Sequence, residues 1–133
     1  MKLPDTAKYF RKNPALFLGT GSYRQAAVIP AYDENDEFPA ALQSLRAAEN
    51  AENVAVIAVV NHPAGADEKS SLQLLEYLQT QRGVFPLYLP ELSGGVGAAR
   101  KAGMDAFLAS QPEEKIPECI IFSLDADTRI EKD

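Results

Sequence analysis

Asn53-Val54-Ala55-Val56-Ile57-Ala58-Val59-Val60 is an almost unbroken apolar run, rich in β-branched residues and without alternation. A strand with one wet face alternates polar and apolar side chains, whereas a strand covered on both faces does not. The run is far shorter than the ~20 residues that cross a bilayer. It therefore reads as an inner strand of a parallel sheet with helices on both sides. Three further runs share its character: Gln25 to Ala31, Val84 to Leu89 and Cys119 to Leu124.

The segments between these runs have helical spacing. In the first, Asp36 is the expected cap with acidic residues in the first turn, and Phe38, Leu42, Leu45 and Ala48 recur on one face. The second starts near Asp67, carries Leu72, Leu75 and Leu78 with Leu74 beside them, and ends at Gly83. The third runs from about Val96 to Ser110, with Val96, Ala99, Gly103 and Ala106 on a stripe small enough for close approach to a sheet. Strand and helix in alternation predict a three-layer, doubly wound α/β fold with a mostly parallel sheet. The expected strand order is 3-2-1-4. Pro86 cannot donate to a ladder and so belongs on an edge, where this order puts the third strand. Pro30 sits at the exit of an inner strand, where pairing is expected to have ended.

The chain has 133 residues, one domain's worth, read as an N-terminal extension over 1–22 and a domain over 23–133. A net charge of −6 argues against a surface built to neutralise phosphate backbones, so nucleic acid is not an expected partner. Cys119 is the sole cysteine, which excludes an internal disulfide. No membrane span and no secretion signal are visible, and the cytoplasm is the expected location.

In an open parallel sheet, ligands bind outside the carboxyl ends of the strands, where strand order reverses. The residues just past each strand end therefore carry the chemistry. After the first come Pro30, Ala31, Tyr32, Asp33 and Glu34; after the second, Asn61, His62 and Pro63; after the third, Ser93-Gly94-Gly95; after the fourth, Asp125-Ala126-Asp127. Asp125 and Asp127, two apart in extended chain, point to one side. Such a pair holds a hard cation, Mg²⁺ or Mn²⁺, whose remaining positions take diphosphate oxygens. The Asp-x-Asp motif by itself is weak, and its place at the end of an apolar strand gives it weight. Gly94-Gly95-Val96-Gly97 leads into a helix, so its backbone N–H groups favour an anion, with Arg100 and Lys101 one turn in. His62, the only histidine, reads as a loop wall or ligand contact rather than a general base, and Cys119 as a small buried hydrophobe.

These clusters, in this order, resemble the nucleotide-binding half of a family 2 glycosyltransferase with the GT-A fold. The blocks are Val28-Ile29-Pro30-Ala31-Tyr32-Asp33-Glu34, Val56 to Val60, Gly94 to Gly103 and Phe122-Ser123-Leu124-Asp125-Ala126-Asp127, together covering residues from about 25 to 130. The resemblance implies a transferase that moves a sugar from a nucleotide-diphospho-sugar to an acceptor hydroxyl with Mg²⁺ or Mn²⁺. It implies that Pro30, Ala31, Tyr32 and Glu34 line the nucleoside pocket, with Asn61 and His62 beside it. Gly94, Gly95 and Arg100 would approach the donor, Asp125 would serve donor and metal, and Asp127 the metal.

Two departures stand out. Asn61-His62-Pro63-Ala64-Gly65 replaces the Asp-Asp-Gly-Ser-like cluster in which one Asp contacts the base, and Tyr-Asp-Glu replaces the commoner Tyr-Asn-Glu. The chain also stops six residues after Asp127. The expectation is therefore a truncated domain, inactive alone, whose catalytic base lies beyond Asp133 and whose full-length parent could sit at the inner face of a membrane. Two other readings remain: a sugar nucleotidyltransferase, which often carries a Val-Ile-Pro-Ala strand but follows it with a Gly-x-Gly-Thr-Arg loop where this chain has Tyr32-Asp33-Glu34-Asn35, and a non-catalytic nucleotide-sugar-binding or scaffolding module.

Overall fold

The computed structural model describes residues 18–32, 35–48 and 50–126, so the expectations for residues 1–17 and for Asp33, Glu34 and Asp127 lie outside it. Four parallel strands form one sheet in the order β3-β2-β1-β4: β1 (Gln25–Ala31), β2 (Val54–Asn61), β3 (Val84–Leu89) and β4 (Ile120–Ser123). The predicted order is the observed one. β2 lies one residue later than expected, at Val54–Asn61 rather than Asn53–Val60, and β4 is shorter than the run Cys119–Leu124.

Both prolines follow from the ladder. In a parallel strand alternate residues direct their backbone groups to opposite neighbours. The carbonyls of Arg24 and Val28 accept from Ile120 and Leu124 at 2.9 and 3.0 Å, so even-numbered β1 positions face β4. Pro30 is the next of them, and the pairing of β1 with β4 ends at Val28 and Ser123. On β3 the Gly83 carbonyl accepts from Val56 at 3.1 Å, so odd-numbered positions face β2 and Pro86 turns its missing donor to the open edge.

Helix α1 (Phe38–Arg46) and helix α2 (Lys69–Gln79) cover one face, where Ala27, Ile29, Ala31, Val56, Ala58 and Val60 pack on Phe38, Leu42, Leu74 and Leu78. Helix α3 (Gly95–Ala109) covers the other, where Ala26, Val28, Ala55, Ile57 and Val59 meet Ala99, Ala106 and Phe107. Three layers result. Phe38 and Phe107, each fully buried, anchor the two faces, and truncation of either to Ala would cost about 3–5 kcal/mol.

Several helix details differ from the sequence reading. Glu37, not Asp36, holds the N-cap position of α1 and makes no side-chain cap bond; no acidic residue lies in the first turn, which Pro39 instead stiffens. In α2 the buried positions are Ser71, Leu74 and Leu78, while Leu72 is 43% exposed. The helix ends at Gln79, and Gly83, at φ +76°, serves the turn into β3. In α3 Val96 is 53% exposed, and Phe107 joins the buried face.

Gly103 explains how α3 approaches the sheet. A Cβ there would stand 2.6 Å from Val28 Cγ1 and 2.8 Å from Val59 Cγ2, closer than side chains allow. Among the described residues no helix is long and apolar enough to cross a membrane.

Candidate functional site

Because all four strands run the same way, their exits share one edge, and the reversal of order falls between β1 and β4. Four groups of residues meet that edge: Tyr32 after β1, Asn61 and His62 at the end of β2, the turn Glu91 to Gly94 between β3 and α3, and Asp125 after β4.

The turn into α3 is set by its glycines. Gly94 is the N-cap at φ +94°, and Gly95 follows at φ +64°, a region that side-chain-bearing residues rarely enter. A Cβ on Gly94 would also lie 2.9 Å from that of Ala98. The helix therefore starts at the ligand edge with its first N–H groups uncapped by side chains, an arrangement that favours anions.

From the second turn of α3, Arg100 donates through Nη2 to the Asp125 carboxylate at the exit of β4. The pair faces solvent, with side chains 35% and 62% exposed. Arg100 Nε is buried and has no partner among the described residues. Next to Asp125, Ala126 is buried in the same cluster as Ala31 and Phe38, so the chain leaving β4 crosses toward the β1 exit.

The β2 exit faces inward. Asn61 is buried and its amide donates to the carbonyls of Val59 at 3.0 Å and Ala31 at 3.3 Å, tying the ends of β2 and β1 together. His62 is buried too. Its Nε2 lies 3.0 Å from the Tyr88 hydroxyl, its ring packs at 5.9 Å from the Tyr88 ring, and its carbonyl accepts from Leu92 N at 2.9 Å. Partial burial, and after it the Glu68 carboxylate, push the Tyr88 hydroxyl above its ordinary value. Pro30 and Ala31 are likewise buried, so of the residues at the β1 exit that the structure describes, Tyr32 alone projects outward.

A wall that strand exits do not reveal is built by α2. The Asp67 carboxylate accepts from Lys69 N at 2.9 Å and caps the helix from one residue before its N-cap position. Asn35 and Ser70 clasp each other: Asn35 Nδ2 donates to the Ser70 carbonyl at 2.8 Å, and Ser70 Oγ donates to Asn35 Oδ1 at 3.0 Å. This fixes the start of α2 against the loop that leaves β1. Between them lies a cavity of about 290 Å³ lined by Tyr32, Asp67, Lys69, Ser70, Ser71 and Gln73. Two roomier hollows, about 390 and 480 Å³, involve Gln25, Val54 and Gly83, at the amino ends of the strands. That is the wrong edge for a ligand of a parallel sheet.

Among the described residues no group of three or more His, Cys, Asp and Glu side chains is gathered to hold a metal. Asp125 is the carboxylate that the structure places at the switch point, while Asp127 lies outside the described residues. No protein-family model matches the chain, and no curated protein matches it in sequence.

Proposed function

We propose that this chain is the donor-binding part of a glycosyltransferase of GT-A type, which takes a nucleotide-diphospho-sugar with Mg²⁺ or Mn²⁺ and passes the sugar to an acceptor hydroxyl. One observation carries the reading. The strand order puts the reversal between β1 and β4, and there Asp125, held by Arg100, stands on the same edge as the Gly94-Gly95 turn that opens α3.

The parts suit a diphosphate. The first N–H groups of α3 and the half-exposed guanidinium of Arg100 are donors that phosphate oxygens would satisfy. Asp125 offers a hard, solvent-facing oxygen of the kind Mg²⁺ and Mn²⁺ bind. When bound, such an ion shields charge that gathers on a departing nucleoside diphosphate. Arg100 holds that carboxylate in place and balances its charge.

A second reading, a nucleotide-sugar-binding module without turnover, is favoured by the inward commitment of Asn61 and His62. Calorimetric titration with UDP-, GDP- and dTDP-sugars, with and without Mn²⁺, separates the two. The expected result is metal-dependent binding weakened tenfold or more by Asp125→Asn. Binding indifferent to EDTA and to that substitution selects the second reading, and the absence of any nucleotide-sugar binding refutes both.

A further inference from the structure

Independently of the donor reading, we propose that β4 pairs with the β4 of a second copy of this chain, antiparallel about a twofold axis at Phe122, so that the two sheets run on as one.

The sheet treats its two edges differently. β3 ends it on one side, where Pro86 turns its missing donor outward, a device that blunts an edge against further pairing. β4 ends it on the other, and among the described residues no strand lies beyond it. From Cys119 to Leu124 there is neither a charge nor a proline to deter a partner. The ladder shows which groups are on offer. Ile120 N donates to the Arg24 carbonyl and Leu124 N to that of Val28, so even-numbered positions of β4 spend their backbone on β1. Ile121 and Ser123 therefore turn N–H and C=O to the open edge.

The side chains beside that edge are apolar and wet. Ile120 and Phe122 are 51% and 45% exposed. Phe122 and Leu124 line, with Ala27 and Leu45, the hollow of about 390 Å³ beside α1, and alternation puts Ile120 on the same face. Large apolar side chains gathered on an unblunted edge mark a surface that another chain covers.

The edge is complementary to itself. In an antiparallel pair, residues that turn their backbone outward must oppose residues that do the same. A twofold axis at Ile121 would set Ser123 against Cys119, whose N–H is already spent on the Ile116 carbonyl at 3.0 Å. An axis at Ser123 would set Ile121 against Asp125, past the end of β4. With the axis at Phe122, Ile121 of each copy opposes Ser123 of the other and exchanges both backbone bonds with it. On the α1 face Phe122 then meets its own counterpart, with Cα atoms about 4.5 Å apart, and Ile120 meets Leu124. The apolar strip so formed is continuous with the hollow beside α1. A strand of 4 residues makes a small contact between copies that each carry a net charge of −6, so the dimer is expected to be weak, micromolar, and strengthened by salt.

Sedimentation velocity over a concentration series tests this. The expected result is a monomer–dimer equilibrium that added salt shifts toward dimer. Ser123→Pro removes an N–H that points away from β1, so it is expected to weaken dimerisation tenfold or more while leaving the urea midpoint of the monomer nearly unchanged. Phe122→Glu sets like charges across the axis and is expected to abolish the dimer, as is Phe122→Lys, whereas an equal mixture of the two restores it through opposite charges at the same place. Circular dichroism verifies the fold of each variant, and Ser123→Pro decides the matter alone should the Phe122 variants not fold. A chain that stays monomeric at every concentration, one that grows past the dimer into open aggregates, or a dimer indifferent to Ser123→Pro overturns the proposal. A mixture of the two Phe122 variants that stays monomeric overturns the axis at Phe122.

Discussion

The guanidinium of Arg100, on the second turn of α3, donates to the carboxylate of Asp125 at the exit of β4, joining the glycine-started helix to the strand at the switch point. Both partners are partly in solvent, and ion pairs of that kind contribute only about 0–1 kcal/mol to stability. Arg100→Gln is therefore expected to move the urea midpoint little, by no more than about 0.5 kcal/mol. If the chain binds a nucleotide-sugar as proposed, the same substitution removes the guanidinium that would face the diphosphate, and nucleoside diphosphate affinity is expected to fall tenfold or more by calorimetry. A large stability loss together with unchanged affinity would assign the pair to the fold and not to a ligand.

Two glycines of α3 predict opposite outcomes from one substitution. Gly103→Ala drives a Cβ into Val28 and Val59, both fully buried in the sheet, and overpacking of this kind costs about 1–3 kcal/mol. Gly97 has nothing within 4 Å of its missing Cβ, so Gly97→Ala gains about 0.5–1 kcal/mol from helix propensity. Urea unfolding of the two variants checks both signs, and equal effects would contradict the close approach of α3 to the sheet.

The inner strands β1 and β2 were legible because burial on both faces leaves a mark that tolerates errors of one residue, and Pro86 gave the order because a missing donor belongs on an edge; β4, with Ile120 and Phe122 51% and 45% exposed, lacks the two-sided cover that its apolar run predicts. The helix faces were read less well. Leu72 and Val96 are apolar yet face solvent, while Ser71, small enough to fit beneath the helix, takes a buried position. The α2 wall was missed for a related reason: Asp67, Lys69 and Gln73 look like the solvated side of any amphipathic helix. Nothing local announces the clasp of Asn35 with Ser70 or the contact of His62 with Tyr88, whose partners are 35 and 26 residues apart. A carboxylate two residues before the backbone N–H that it caps was the one signal in the chain for Asp67.

Asn61 holds the ends of β1 and β2 together with donors alone, so the isosteric Asn61→Asp is expected to be far from neutral. A carboxylate there faces the carbonyls of Ala31 and Val59 with nothing to give them, at a cost of about 1–3 kcal/mol or more. Burial raises the folded pKa of the new acid above its unfolded value. Its neutral form is thus favoured in the fold, and the variant's deficit grows as the pH rises. Urea midpoints near pH 4.5 and pH 7.5 are expected to show a larger gap from the parent protein at the higher pH. A pH-independent gap would mean that the side chain has swung out to water.

Cys119 gives the clearest alkaline signature. Its thiol donates to the Lys115 carbonyl at 3.5 Å, a bond only the protonated form makes. Burial pushes its pKa up, Arg24 opposes this, and Glu118 adds to it. With the folded pKa above the unfolded one, the contribution to stability is complete below the unfolded value, near 9.0, and is lost as the pH rises through and past it. Tyr88 acts in the same direction at higher pH. The urea midpoint is therefore expected to fall as the pH rises above about 9, and Cys119→Ser, which still donates to Lys115 but does not titrate there, should flatten that fall. At pH 8 the folded thiol should react with a disulfide reagent more slowly than the same thiol in urea, because only the thiolate attacks. Equal rates in the folded and unfolded chain, with a midpoint indifferent to Cys119→Ser, would show a thiol that feels neither burial nor the Lys115 carbonyl.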